Sequence, residues 1–301
     1  MAEKVQQMHI IVDSPAGNLE ELANKIRQAG VKVYYSFPGL KVHSKLLLIT
    51  RKMAKSEKDY AYLASGNFNE KTARIYCDIG LFTCNKKITL ELRILFSYLA
   101  RETEEVEFQN LLVAPFNMRK HFNQLIDNEI KNAEDGKKAE ITLKLNSLQD
   151  PKIIQRLYKA SNAGVKIKII VRGICCLIPG VKGMSENIEA ISIVDRFLEH
   201  ARIYIFHNDG NPLVYSGSAD LMSRNLNRRI EVIFPILNED LKQEIIDLID
   251  LQLNDTVKAR LIDSEQKNEY VKKKSAKKIQ AQLATYHYLK NKERTHGKEN
   301  I

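Results

Sequence analysis

An α/β fold built from two similar halves is what this sequence predicts, and three observations predict it. Short apolar runs alternate with amphipathic helical stretches, the pattern of helices layered on a largely parallel sheet. A length of 301 residues is enough for two cores of ordinary size. One constellation, an extended His-x-cation segment followed by a Ser-Gly turn, also occurs twice. Each half is therefore expected to be a mixed, mostly parallel sheet flanked by helices, the two related by pseudo-twofold symmetry.

In the first half, strands are expected at 9–12, 31–35, 42–49, 60–64 and 79–82, with a helix over 19–28. A helix and then an acidic break fill 89–107, which places a boundary near 109. In the second half, strands are expected at 111–114, 141–145, 165–171, 191–193, 203–206, 212–215 and 230–234, with helices over 120–131 and 151–162. The second of these helices stops at Ala163-Gly164, where a left-handed glycine suits a helix end. A tail helix over 276–292 repeats apolar residues at helical spacing and is expected to pack back on the body. The expected units are 1–109, 110–270 and a basic C-terminal helix and tail, 271–301.

Composition excludes several classes. No apolar run approaches the ~20 residues of a membrane span, so membrane association is at most peripheral. The start, MAEKVQQMHIIVD, has no secretory apolar core, which points to a cytoplasmic setting. Cys77, Cys84, Cys175 and Cys176 lie among apolar residues without a C-x-x-C pair and read as buried thiols. The net charge of +10 suggests a polyanion, but 271–301 holds nine Lys or Arg against two Glu, so most of the surplus is tail. No nucleic-acid partner is expected.

The chemistry lies in the repeat. His43-Ser-Lys45 is followed by LLLIT, and His200-Ala-Arg202 by IYIF. A further strand leads to Ser65-Gly66-Asn67 in one half and Ser216-Gly217-Ser218-Ala219-Asp220 in the other. The first spacing is longer, and the charged stretch 52–59 accounts for the difference. Both halves then pass through arginine into a strand bearing an acid, Asp78 or Glu231. Alternation along a strand puts each histidine on the same face as its cation. Such a pair suits a phosphoryl group: the cation binds nonbridging oxygens while a neutral imidazole nitrogen attacks phosphorus or trades a proton. The Ser-Gly turn adds donors, and its glycine lets backbone approach an anion. Asp78 or Glu231 can fix a histidine tautomer, although sequence does not say which histidine each faces.

The paired His-x-Lys/Arg segments resemble the phospholipase D superfamily, in which two halves each give one histidine to a shared site. A closer resemblance is carried by SFPGLKVHSKLLLI, ASGNFNEKTARIYCD, ITLKLNSLQDP, AGVKIKIIVRGICCLIPGVKGMSENI, SIVDRFLEHARIYIF and RRIEVIFP. These are similar to the C-terminal catalytic half of the large polyphosphate kinases. That resemblance implies two phospholipase D-like domains and reversible transfer of the ATP γ-phosphate to polyphosphate through a phosphohistidine at His43. His200 is implied as the second active-site histidine, with Lys45 and Arg202 as catalytic cations and Tyr76, Arg172, His200 and Asn67 as nucleotide-binding residues. Mg²⁺ with ATP is the implied cofactor. ATP or ADP and polyphosphate are the implied partners, together with a homo-oligomer or a separate N-terminal portion. The chain departs from the family at its start, where Asp13 follows His9-Ile-Ile-Val and a magnesium-associated arginine is missing. The metal ligands are left unassigned. A phosphodiesterase and an inactive polyphosphate-binding remnant are the alternative readings.

Overall fold

The computed structural model describes residues 9–12, 18–272 and 278–296. Asp13 and part of the basic tail fall outside them. The first half runs β1 (His9–Val12), α1 (Asn18–Gln28), β2 (Lys32–Tyr35), β3 (Lys41–Val42), β4 (Lys45–Met53), β5 (Ser56–Ala64), α2 (Glu70–Ala73), β6 (Tyr76–Cys77), β7 (Gly80–Thr83) and α3 (Lys86–Leu99). The second half begins with β8 (Leu112–Ala114), α4 (Met118–Glu134), β9 (Glu140–Leu145), α5 (Pro151–Asn162), β10 (Lys166–Val171), β11 (Ile188–Ile193) and β12 (Leu198–Glu199). It continues through β13 (Arg202–Phe206), β14 (Leu213–Gly217), α6 (Ser223–Arg228), β15 (Arg229–Pro235), α7 (Glu239–Leu253), β16 (Ala259–Ile262) and α8 (Ala281–His296).

The main sheet has the order β16-β11-β10-β9-β13-β14-β15-β3, with β8 also on β15. Strands β9, β10 and β11 are parallel, with α5 as the crossover between β9 and β10. Strands β8, β13, β14, β15 and β16 pair antiparallel. The sheet is thus mixed, as expected, but its parallel pairings are confined to the β9-β10-β11 core and the β15–β3 edge and are not most of it. The reason is local: the segments after each histidine return by hairpins, and a hairpin makes antiparallel neighbours.

α5 starts where Asp150 accepts the amide of Ile153 and ends before Gly164, whose φ of +95° confirms the glycine stop. Its apolar residues Ile153, Leu157 and Ala160 join Phe122 and Ile126 of α4 against the strand residues Ile141, Leu143 and Tyr204. A second core on the opposite face draws on both halves: Leu63 of β5 and Leu92 and Leu95 of α3 pack with Val232 of β15 and Ile245 of α7. Glu91 of α3 accepts the backbone amides of Gln109, Asn110 and Leu111, which ties the connection between halves to the first one.

Three expectations are corrected. The charged stretch 52–59 is no loop: β4 and β5 run straight through it and turn at Ala54-Lys55, with Met53 facing Ser56. The expected strand 42–49 is broken at the histidine into β3 and β4. The cysteines are free thiols, but Cys84 and Cys176 are exposed and none is fully buried, because they sit at strand ends and in a loop where apolar neighbours do not close over them. The tail does pack back as a helix: Ala281 is buried, its amide donates to Asp255, and Tyr288 Oη donates to Asp247. No helix among the described residues is long and apolar enough to cross a membrane.

Candidate active site

Each histidine stands just after a two-residue strand that leaves its own half. β3 pairs parallel with β15, and the amides of His43 and Ser44 both donate to the carbonyl of Ile230. In the mirror arrangement β12 pairs parallel with β6, and the amides of His200 and Ala201 both donate to the carbonyl of Cys77. The halves therefore exchange strands at the two positions where chemistry is expected. The exchange decides which acid meets which histidine.

The pairing is crossed. His43 Nδ1 lies 3.0 Å from the Glu231 carboxylate, and His200 Nδ1 lies 2.7 Å from Asp78. Each acid is steadied by a serine: Ser218 Oγ donates to Glu231 at 2.5 Å, and Ser65 Oγ to Asp78 at 2.7 Å. The Ser65 amide also donates to the Ile79 carbonyl while the Ile79 amide donates to Ser65 Oγ, and Ser218 and Val232 repeat the same pair of bonds. So the structural counterpart of Ser65 is Ser218, not Ser216, whose hydroxyl is spent on the Arg202 carbonyl. The two turns are offset by two residues from the match that the Ser-Gly pairs suggest.

With Nδ1 donating to a carboxylate, the His43 ring keeps its Nε2 lone pair for chemistry, whereas Nε2 of His200 also lies within reach of an Arg202 donor. Burial holds the His200 imidazole below its ordinary value; the Asp78 hydrogen bond opposes that shift and the Arg202 charge adds to it. A neutral imidazole results. Burial also works against ionisation of Asp78, but hydrogen bonds from His200 and Ser65 and the Arg202 charge outweigh it and keep the acid below its usual range. Glu231 is fully buried and takes a further hydrogen bond from Asn225 at 2.5 Å.

The two cations are placed differently. Arg202 Nη1 lies against the His200 ring, 3.1 Å from Nε2, while Nη2 binds Asp220 at 3.1 Å. Lys45 is buried and its ammonium donates to the carbonyl oxygen of His43. Burial lowers its pKa to about 8, with Glu231 opposing and Arg202 reinforcing the shift. Lys45 senses Glu231 and Arg229 together with Arg202 and Asp78, so both histidine clasps share one electrostatic neighbourhood.

The nucleotide-binding expectations are partly brought together. The Tyr76 ring lies 4.9 Å from that of His200, centre to centre. Arg172, at the end of β10, donates to Asn146 Oδ1 and to the Glu199 carbonyl, next to His200. Its Nη1 makes no hydrogen bond to a described residue. Asn67 is exposed two residues beyond Ser65. Gly66 makes room for an acid rather than an anion's approach: a Cβ there would sit 2.4 Å from Asp78 Oδ2. Sequence reasoning missed Asn146 and Asn225. Asn146, directly after a buried strand, donates to the His200 carbonyl at 3.1 Å; a polar residue at the end of a buried strand was the available signal. Among the described residues no group of three or more His, Cys, Asp or Glu could hold a metal ion.

Known proteins are similar to this chain in sequence and fold. A family model for polyphosphate kinase C-terminal domain 2 matches residues 111–282, and one for C-terminal domain 1 matches 15–105. The chain is 52% identical to a polyphosphate kinase of Vibrio cholerae over 91% of its own length and 39% of the relative's. It is 49% identical to that of Escherichia coli strain K12 over 90% of its own length and 39% of the relative's. The crystal structure of a polyphosphate kinase from Porphyromonas gingivalis superimposes with a TM-score of 0.91 at 44% identity, covering 96% of this chain and 45% of that one. The chain thus spans about two fifths of the length of the curated relatives it matches. With both matched models falling on the two halves that clasp each other's histidines, this chain belongs to the polyphosphate kinase C-terminal domain family.

Proposed function

We propose that this chain carries the phosphoryl-transfer site of an ATP:polyphosphate phosphotransferase and that His43 is its phosphorylated residue. The observation that carries the proposal is the crossed clasp: Glu231 occupies His43 Nδ1 and leaves Nε2 as the nucleophile. In the first step the Nε2 lone pair forms a bond to the ATP γ-phosphorus as the bond to the β-γ bridging oxygen breaks and ADP departs. In the second, a terminal oxygen of polyphosphate attacks the same phosphorus and the P–N bond breaks. A nitrogen nucleophile splits the transfer into two in-line steps, so that donor and acceptor use one site in turn. Each step runs equally in reverse.

Phosphoryl transfer asks mostly for alignment and neutralised charge. Arg202, fixed by Asp220 against the His200 ring, and Arg172, fixed by Asn146, supply preorganised guanidinium groups. Neutral His200 takes or returns a proton at the bound phosphates, and Tyr76 beside it offers a ring and hydroxyl to the nucleotide. Both acids of the site are engaged by histidines, so the donor set fits Mg²⁺ arriving on the phosphate oxygens of ATP, where it would neutralise charge, rather than a protein-held ion. A cytoplasmic setting and a homo-oligomer or separately supplied N-terminal portion complete this reading.

The test is incubation with Mg-ATP labelled in its γ-phosphate, with and without the N-terminal portion of a relative. An acid-labile label on the wild type that disappears in His43→Ala is the expected result. A wild type that takes no label under either condition overturns the proposal, and metal-independent cleavage of a phosphodiester would replace it with the phosphodiesterase reading.

A further inference from the structure

β12 carries the chain to His200 across the other half, and it is a strand of two residues in a sheet of two strands. One side is secured by backbone of the first half: the amides of Leu198, His200 and Ala201 donate to the carbonyls of Ile75 and Cys77. So short a ladder is marginal by itself. A side chain secures the other side. Gln282, in the first turn of α8, accepts the Phe197 amide through Oε1 at 3.0 Å and donates to the Phe197 carbonyl through Nε2 at 2.8 Å. A carboxamide offers the donor and acceptor of a peptide group, so Gln282 serves Phe197 as a residue of a neighbouring strand would. Its Nε2 also donates to Glu199 Oε1 at 2.8 Å.

Alternation along β12 sends the Glu199 side chain to the face opposite His200. There its carboxylate takes hydrogen bonds from three elements: Lys144 of β9 at 2.8 Å, Gln282 of α8 at 2.8 Å and Gln252 of α7 at 3.4 Å. The Lys144 and Glu199 side chains are 3% and 6% exposed. An ion pair so enclosed is favourable only while its remaining lone pairs are satisfied, which the two glutamines do. The Glu199 carbonyl in turn accepts Arg172 Nε at 2.8 Å, and the next residue is His200. Gln282 therefore grips a residue that touches one guanidinium of the site and adjoins one imidazole. The start of α8 is itself firmly held. The Ala281 amide donates to buried Asp255, which also takes the amides of Val257, Lys258 and Ala259, and Gln280 donates to Asp195 at 2.8 Å.

We propose that Gln282 is a positioning residue of the site: by gripping β12 through the Phe197 backbone and the Glu199 side chain, it fixes where His200 and Arg172 stand. α8 is then the outer jaw of a clamp whose inner jaw is β6. Without the grip β12 keeps its ladder to β6 and loses its bonds to α8, so the His200 ring opens towards solvent. The value of this clamp to phosphoryl transfer rests on the phosphotransferase reading above, whereas the clamp itself does not.

The test is a pH titration of the full chain labelled with ¹⁵N-histidine and followed by NMR, the His200 ring signal being the one that His200→Asn removes. Gln282→Met keeps the length of the side chain and loses all three hydrogen bonds. The His200 midpoint is expected to rise by ~0.5 pH in this variant, because burial is what chiefly holds it down. Asp78, Arg202 and Asp220 are the charged groups that act on the ring, and the variant leaves all three in place. Tyr288→Phe is the control: it removes the hydrogen bond to Asp247 that α8 makes farther along, and it is expected to leave the His200 midpoint where it is. A midpoint that stays or falls in Gln282→Met overturns the proposal. So does an equal rise in Tyr288→Phe, which would make α8 a general staple of the fold. Should Gln282→Met fail to fold, Gln282→Asn, whose amide falls one methylene short of its partners, is read in the same way. A wild type that takes no phosphate label sinks the proposed activity and leaves this titration to decide the clamp.

Discussion

The two histidine clasps share one hydrogen-bond scheme and differ in how deeply it is buried. At His43 the acid is Glu231, fully enclosed and held by both Ser218 and Asn225. At His200 the acid is Asp78, partly open to solvent and held by Ser65. The cations reverse that order: Arg202 touches the His200 ring, whereas Lys45 reaches only the backbone of His43. The same scaffold thus gives one imidazole a rigid, dry anchor and the other a charged neighbour. The first suits a nucleophile that must hold its tautomer through two transfers, and the second a group that handles protons beside bound phosphate.

The comparison breaks most visibly at the acids. With the N-terminal portion present, Glu231→Gln is expected to lower turnover towards ~10⁴-fold, because the amide no longer fixes the Nδ1–H tautomer, and Asp78→Asn nearer ~10²-fold. Steady-state kcat and the phosphoenzyme label together measure both. Equal losses would mean that the clasps are interchangeable.

The glycines sharpen it next. A Cβ on Gly217 would lie 2.2 Å from the Val232 carbonyl oxygen, backbone that cannot swing aside, so Gly217→Ala is expected to cost about 1–3 kcal/mol in urea unfolding. At Gly66 the obstacle is the Asp78 side chain, which can move. Gly66→Ala is therefore expected to lose activity while keeping most of its stability, and the reverse outcome would refute the assignment of Asp78 to His200.

Lys45 provides a pH test. With its pKa lowered to about 8 in the folded chain against an ordinary 10.5, it sheds its charge as pH rises through about 8. Polyphosphate affinity should weaken above that pH. Between about 8 and 10.5 the folded chain binds fewer protons at this site than the unfolded one, so this residue makes stability rise with pH over the same window. Lys45→Met should remove both slopes; a titration of affinity that is unaltered by the variant would separate Lys45 from phosphate.

The smallest effect is structural. Asp150 caps α5 and takes two hydrogen bonds from Arg119 and one from Ser223. Burial opposes its ionisation, yet these bonds outweigh burial and bring its pKa down to about 2. Its stabilisation is full above the ordinary value of 3.8 and is lost as pH falls towards about 2. Asp150→Ala is expected to cost about 1 kcal/mol at neutral pH and to flatten that acid limb, read by thermal unfolding.

Much of the fold was legible because its signals are local. The helix Pro151–Asn162 and the strands β1, β9 and β10 follow from apolar spacing, an N-cap and a terminal glycine. The misses are where local pattern is silent. Charged residues at 52–59 hid the extension of β4 and β5, since an exposed hairpin end needs no apolar face. α7 and β16 were not anticipated, and their role is visible only in the core they close, where Ile245, Ile249 and Ala259 pack together with Leu63 and Leu92 from the other half.

By itself the sequence determined that His43 and His200 are each followed by a cation on the same strand face, a serine turn and an acid, because residue types and strand alternation are properties of short stretches. Only the tertiary structure decided that Glu231 serves His43 across 188 positions, that Asp78 serves His200 across 122, and that Ser65 answers to Ser218. The reason is physical: those pairings arise from two short strands crossing between halves, and a hydrogen bond between distant residues depends on backbone register in space, which no spacing along the chain encodes.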